Sequence, residues 1–339
     1  MTVRCQKDTF SNFFQRKDGE LQRPASVFRN WISSEPGAEF PPEKGRYHLY
    51  VSYACPWAHR TLIVRHLKGL ADVIPYTSVH WHLDMEKGIG WRFAWKDEAV
   101  TGENVGPDPV HPEYQHISEL YHSVDPDYRG RFTVPVLYDK KTHRIVSNES
   151  SEIIRMFYSE FDGLLPEKFR AIDLFPEALR SSIEETNEWT YDNINNGVYK
   201  SGIATKQEAY DKAVKQVFAA LDRVEAQLSS TGPYYFGDSI TEADIRLYPT
   251  IIRFDVVYVQ HFKCNLRDIR SGYPAIHAWL RRLYWDVPAF GETTEFEHIK
   301  KHYTKSHLPI NPYGITPLGP EPPILAKDSE VPAVQAARL

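Results

Sequence analysis

At about 150 residues per domain, a chain of 339 residues has room for two domains and extensions. Its 40 Lys and Arg against 45 Asp and Glu give a formal charge of -5, which leaves no general basic surface for non-specific nucleic-acid binding. With 42% apolar and 25% charged residues, the composition excludes a fibrous or wholly disordered chain.

No run reaches the roughly 18 apolar residues of a membrane helix, so no membrane partner is expected. The start, Met1-Thr2-Val3-Arg4-Cys5-Gln6-Lys7-Asp8, lacks both a signal-peptide core and an Arg-rich presequence pattern, which makes the cytoplasm the expected location. Cys5, Cys55 and Cys264 are odd in number and far apart, so each is read as a single thiol rather than part of a disulfide framework. The 20 Tyr and 8 Trp fit either an aromatic-rich core or binding walls made of rings with polar tips.

Residues 1–43 read as an arm with scattered aromatics (Phe10, Phe13, Phe14, Phe28, Trp31), packing onto a domain it does not build. Tyr47-His48-Leu49-Tyr50-Val51-Ser52 is rich in strand formers, and Leu62, Ile63, Val64, Leu67 and Leu70 follow with helical periodicity. Pro56 suits the first helical turn and Gly69 the end of that helix, which puts Cys55 at or beside the N-cap. Residues 73–79 predict a second strand, parallel to the first across a right-handed crossover. Residues 80–127 carry Trp81, Trp91, Trp95 and several histidines around a Gly/Pro/Asn/Asp-rich middle, the mark of an insertion or functional loop, with a short helix at 117–124. Strands at 133–139 and 144–147 and an amphipathic helix at 148–157 complete a mixed four-stranded sheet with helices on its faces.

From 172 to 297 the pattern is nearly all helical. Val214, Val217, Phe218, Leu221, Val224 and Leu228 form a buried stripe on a long helix. Thr241 and Asp244 make a capping box, with Ile240 and Ile245 as its hydrophobic staple. A Pro-rich tail from about residue 306 reads as an extended wrap that loosens into disorder near Leu339. The expected organisation is therefore an arm at 1–43, an α+β domain at 44–162 with its insertion at about 80–127, an all-helical domain at 170–300, and a Pro-rich extension at 301–339.

Cys55 is the sharpest chemical feature. A thiol at a helix N-terminus meets the positive end of the macrodipole and unpaired N–H groups, which lowers its pKa and favours the nucleophilic thiolate. Ala58 stands where a dithiol oxidoreductase carries its second cysteine, so the site is monothiol and an external thiol must resolve any disulfide formed there. The alternative is a buried, inert cysteine. Pro135 in Thr133-Val134-Pro135 is either cis or a plain edge proline. Glu149 and Ser150 start a helix: they either cap it, or hold the ammonium and carboxylate of an α-amino-acid head.

The strand-Cys55-Pro56-helix, Val134-Pro135, Glu149-Ser150 and Thr241-to-Asp244 series resembles the glutathione transferase family across most of residues 46–300. The strings Cys55-Pro56-Trp57-Ala58-His59-Arg60, Gly90-Trp91-Arg92-Phe93, Thr190-Tyr191-Asp192, Arg253-Phe254-Asp255, His261-Phe262-Lys263-Cys264-Asn265 and Asn311-Pro312 resemble its Xi class, the glutathionyl-hydroquinone reductases. The resemblance implies a thioredoxin-fold, glutathione-binding domain followed by an all-helical domain, a homodimer, glutathione as cosubstrate and no tightly bound cofactor. It further implies that Cys55 takes glutathione from a glutathionylated hydroquinone, that Trp91, Arg131, Val134, Glu149 and Ser150 bind glutathione, and that Tyr191 and Tyr303 line an aromatic pocket between the domains. Thr304 departs from the family's usual second tyrosine after His302, which alters that pocket.

His80 and His82, with His111 or His116, have no recognised zinc spacing, and no metal is assigned. Cys264 reads as a small packed hydrophobe. His59 is either a helix-surface residue or a cationic partner of the thiolate. Tyr191 has a core reading beside the pocket one. The functional rivals are an omega-like thioltransferase or dehydroascorbate reductase, and a non-catalytic binder of aromatic ligands.

Overall fold

In the computed structural model, which describes residues 14–85 and 90–329, Tyr47–Val51 forms a strand (β1) buried along its whole length. An unbroken Tyr-His-Leu-Tyr-Val run suits the centre of a sheet covered on both faces. Tyr76–Ser78 (β2) pairs parallel to β1 with Leu49 opposite Tyr76. Val136–Asp139 (β3) pairs antiparallel on the other side with Tyr47 opposite Asp139, and Arg144–Ser147 (β4) takes the edge, for an order of β2-β1-β3-β4. Helix Pro56–Leu67 (α1) packs against Ser150–Ser159 (α3), and Ile117–Val124 (α2) is the short helix expected within the insertion. The mixed four-stranded sheet is the one expected.

Two predicted strands are shorter than their apolar runs. Val73 and Ile74 turn their N–H groups back to the Leu70 carbonyl at 3.0 and 2.9 Å, closing a tight turn that withholds them from the ladder. Thr133 to Pro135 likewise precede β3, and the Val134–Pro135 peptide is cis. Gly69 is left-handed, with φ 64°, and an added Cβ would lie 2.4 Å from the Phe169 ring, so glycine is required there by backbone and space alike.

By its contacts the chain forms two compact units, the first of which includes Arg23–Asp173 and Glu292–Thr316. Within it the arm does more than pack: Asn30 N–H donates to the Val146 carbonyl at 2.9 Å and Arg29 bridges Ser147, extending the sheet beyond β4. The arm residues before Phe14, Cys5 among them, lie outside the described residues. The insertion forms a small ladder, Leu83–Asp84 with Gly90–Trp91. The last helix, Phe296–Ser306, also folds with this unit, whereas the sequence pattern divided it between the helical domain and the extension. Its polar face explains the assignment: His298 meets the Thr101 carbonyl at 2.8 Å, His302 the Trp81 carbonyl at 3.0 Å, and Ser306 Oγ accepts from Leu83 N–H at 3.0 Å.

Arg46 grips Asp139 through Nε at 2.9 Å and Nη2 at 2.5 Å, tying the start of β1 to the end of β3. Burial alone would raise the Asp139 carboxyl, but Arg46, the Lys141 N–H and the Thr142 hydroxyl together hold it below its ordinary value. Its stabilisation is therefore present above the unfolded-state value near 4 and is lost as pH falls through the depressed folded-state value. Asp139→Asn is expected to cost about 2 kcal/mol at neutral pH, a deficit that shrinks below about pH 4. Denaturant titrations of both proteins across pH would check it.

The second unit holds Arg180–Thr190 (α4), Gly197–Ile203 (α5), Gln207–Thr231 (α6), Glu242–Arg253 (α7) and Pro274–Asp286 (α8). The apolar stripe on α6 is buried as expected. The capping box of α7 is present and larger than the sequence implied: Asp244 accepts from Thr241 N–H at 2.9 Å, Tyr235 N–H at 2.9 Å and Trp279 Nε1 at 2.9 Å. A short hairpin, Arg16–Lys17 with Glu20–Leu21, joins this unit through Arg16 Nε on the Ile203 carbonyl at 3.1 Å. The Pro-rich tail lies along α8, held by Trp285 Nε1 on the Leu325 carbonyl and Arg281 on the Ala326 carbonyl, both at 2.9 Å. Such side-chain donors suit a segment whose prolines supply few N–H groups. Among the described residues no helix is long and apolar enough to cross a membrane.

Candidate active site

Cys55 is the N-cap of α1, in an extended conformation with Pro56 directly after it. Pro56 lacks the N–H that would have no partner at this position, so the β1-to-α1 turn places the thiol at the helix end without backbone cost. Cys55 is half-buried, and its Sγ donates to the Val134 carbonyl at 3.4 Å. The turn beneath it is tight: Cys55 N–H bonds the Ser52 carbonyl at 3.0 Å and Ala54 N–H bonds Ser52 Oγ at 3.2 Å.

A chain of contacts leads from Val134 to Glu149. Tyr121, wholly buried, donates its hydroxyl to the Thr133 carbonyl at 2.8 Å and accepts from Asn148 Nδ2 at 3.1 Å. Arg131 enters the same segment through its carbonyl, which accepts from Thr133 N–H at 3.0 Å, while its Nη2 donates to the Pro24 carbonyl at 3.2 Å. Trp91 is buried and stacks on His302, centroids 4.6 Å apart. The neighbouring Gly90, at φ 82°, has a backbone that other residues rarely adopt, and an added Cβ would sit tightly, 3.1 Å from the Phe132 side chain and 3.2 Å from its carbonyl oxygen. The insertion is thus pressed against the loop that carries Arg131 to Val134.

Glu149 is the N-cap of α3, with Oε1 accepting from Ser151 N–H at 3.0 Å and from Ser151 Oγ at 2.8 Å. Burial would push its carboxyl up, but the Ser151 bonds, the Ser26 hydroxyl and the nearby Arg60 charge hold it below its ordinary value. Ser150 opens the helix. It is 2% exposed, and its Oγ has no hydrogen-bond partner among the described residues. A buried hydroxyl without a partner at a helix N-terminus is unusual, and its chemistry suits an anionic oxygen supplied from outside.

Tyr303 is wholly buried in the first unit, its ring 5.0 Å from His302 and 5.4 Å from His307. Tyr191, in the second unit, begins a π-helical turn, Tyr191–Asn195, and keeps part of its surface exposed. Thr304 is buried, its Oγ1 on the Lys300 carbonyl and the Thr316 hydroxyl, both at 2.7 Å. The structure therefore brings Cys55, Arg131, Val134, Glu149, Ser150 and Trp91 into one continuous region of the first unit, with Tyr303 one residue from the Trp91 stacking partner.

Other candidates resolve differently. His59 is not on the surface: it is fully buried with Nε2 2.9 Å from Thr293 Oγ1, because α1 turns that face inward. Cys264 is fully buried, and burial pushes its thiol up to about 12, in keeping with a packed hydrophobe. His80 faces Glu98, His111 stacks on Tyr114 and His116 caps α2. Among the described residues no group of three or more His, Cys, Asp or Glu is arranged to hold a metal ion. The sequence pattern assigned no role to two residues beside Glu149: Arg60, almost wholly buried, whose charge lies near its carboxylate, and Ser26, whose hydroxyl reaches it across 123 positions.

Family models for the glutathione S-transferase N-terminal and C-terminal domains match residues 54–160 and 207–282. The chain is 56% identical to the Schizosaccharomyces pombe protein named glutathione S-transferase omega-like 2, over 90% of its own length and 95% of that protein's. It is 50% identical to the Escherichia coli glutathionyl-hydroquinone reductase YqjG, over 89% of each chain. Among solved structures it is similar to the Saccharomyces cerevisiae Xi glutathione transferase ECM4 in complex with glutathione, with a TM-score of 0.85, 47% identity, and coverage of 91% of this chain and 99% of that one.

Proposed function

The chain belongs to the glutathione transferase family and, within it, to the Xi class of glutathione-dependent enzymes, and we propose that it is a glutathionyl-hydroquinone reductase whose nucleophile is Cys55. The observation that carries the proposal is a monothiol helix cap: Cys55 stands at the N-terminus of α1, faces the Val134 carbonyl, and has Ala58 where a resolving cysteine would stand.

The Cys55 thiolate attacks the sulfur of a glutathionylated hydroquinone. A disulfide forms between Cys55 and glutathione while the carbon–sulfur bond to the aromatic ring breaks, and the ring carbon keeps the electron pair and takes a proton. A second glutathione, as its thiolate, then attacks the mixed disulfide, releasing oxidised glutathione and restoring Cys55. The aromatic ring is reduced by two electrons and two glutathione sulfurs are oxidised, so the balance closes with no further cofactor. In this proposal Val134 meets the cysteinyl part of glutathione through its backbone. Ser150 and the N–H groups of α3 hold the γ-glutamyl carboxylate and Glu149 the ammonium, while Trp91 and Arg131 complete the binding wall. The proton for the departing carbon is assigned to a phenol, Tyr191 or Tyr303.

The test is incubation with a glutathionyl-hydroquinone and excess glutathione. Free hydroquinone and oxidised glutathione are expected in equal amounts, with a glutathione adduct on Cys55 in the protein mass when the second glutathione is withheld. No release would overturn the proposal in favour of a ligand binder. Turnover of dehydroascorbate or simple mixed disulfides alone would favour the omega-like activity.

A further inference from the structure

Glu149 is held from two sides. Its Oε1 serves the helix cap, through Ser151 N–H and Oγ. Its Oε2 accepts from Ser26 Oγ at 3.0 Å, a bond that spans 123 residues and that the cap does not use. A carboxylate offers roughly four lone-pair sites, and these three donors leave one acceptor direction, on the oxygen that Ser26 fixes.

The arm around Ser26 is itself pinned. Pro24 is held through its carbonyl by Arg131 Nη2 at 3.2 Å. Phe28 and Asn148 exchange bonds, Phe28 N–H to Asn148 Oδ1 at 3.3 Å and Asn148 N–H to the Phe28 carbonyl at 3.0 Å. Arg29 pairs with Glu152, on α3. Arg23 lays its guanidinium 3.9 Å from the Trp57 ring centroid, two residues beyond Cys55. A segment tied at these points presents one hydroxyl, which also lies 3.4 Å from the Asn148 carbonyl, to the carboxylate of the half-buried Glu149.

We propose that Ser26 is a positioning residue for glutathione: it orients Glu149 so that the remaining acceptor direction meets the α-ammonium of the γ-glutamyl head, making the arm a working part of the glutathione site. The inference rests on the assignment of Glu149 and Ser150 to that head. Ser26 acts through Glu149 and has no role in the sulfur chemistry, so its loss weakens the capture of glutathione and leaves the turnover of bound glutathione alone.

The experiment compares wild type, Ser26→Ala and Ser26→Thr with two thiols: glutathione, and glutaryl-cysteinyl-glycine, which has the same thiol but no α-ammonium. KM with kcat is measured for the hydroquinone adduct of each thiol, the species whose head fills the site in turnover, and the calorimetric Kd for each free thiol. Ser26→Ala is expected to raise the KM for the glutathione adduct and the Kd for glutathione about fivefold with kcat unchanged, to leave both unchanged for the glutaryl analogue and its adduct, and to be rescued by Ser26→Thr. Equal losses with the two thiols would reveal a merely structural role and overturn the inference, as would no loss with glutathione. If wild type releases no hydroquinone, the reductase proposal fails on its own, and the calorimetric comparison still decides the role of Ser26.

Discussion

Cys55→Ser is expected to lower hydroquinone release by about a thousandfold or more while leaving glutathione affinity within about threefold. The loss is chemical rather than structural. Cys55 makes no side-chain cap bond in α1, and serine is among the preferred N-caps, so the variant should fold at least as stably as wild type. Its hydroxyl is a poor nucleophile at neutral pH and cannot form the mixed disulfide through which the reaction passes. No second thiol stands ready to substitute among the described residues: Cys264 is fully buried, with its thiol pushed up to about 12 by that burial. Chromatography of released hydroquinone, beside calorimetric titration with glutathione, separates the two effects. A serine variant that kept the wild-type rate would show that sulfur is not the nucleophile and would remove the basis of the proposed mechanism.

The site was legible where its geometry is local and opaque where it is not. Pro56 and Gly69 mark α1 because each suits one helix end for a backbone reason, and Cys55 falls on the cap as a result. Thr241 and Asp244 announce α7 in the same way, through a contact of three residues' separation. The pattern overreached at Val73 and Ile74, since apolar character cannot distinguish a strand residue from one whose N–H closes a turn onto Leu70. Of the two alternatives the sequence leaves for His59, the helix-surface one fails, because Thr293 supplies a buried partner from 234 positions away. Ser26 carried no signal at all. It is one hydroxyl in a polar arm, and its meaning comes only from a fold that lays the arm beside α3.

Ser150→Ala and Glu149→Ala separate helix capping from ligand binding, which the sequence left as equal alternatives. Ser150→Ala is expected to raise the KM for the glutathionylated hydroquinone about fiftyfold, as loss of a hydrogen bond to a charged group implies, with no loss of stability. Its Oγ is buried and has no partner among the described residues, so removing it breaks no bond in the free protein and relieves a desolvated polar atom. Glu149→Ala is expected to raise the KM about a hundredfold and also to cost about 1 kcal/mol of stability, because its carboxylate accepts the Ser151 N–H at the start of α3. Kinetics and denaturant titration of both variants give four numbers. If capping were the whole role of the pair, Glu149→Ala would lose stability alone and Ser150→Ala would change nothing. A ligand role instead puts the larger penalty on KM in both, and only Glu149→Ala pays in stability. The asymmetry follows from the structure itself: before any ligand arrives Glu149 already accepts from Ser151 and Ser26, while Ser150 Oγ has no partner among the described residues.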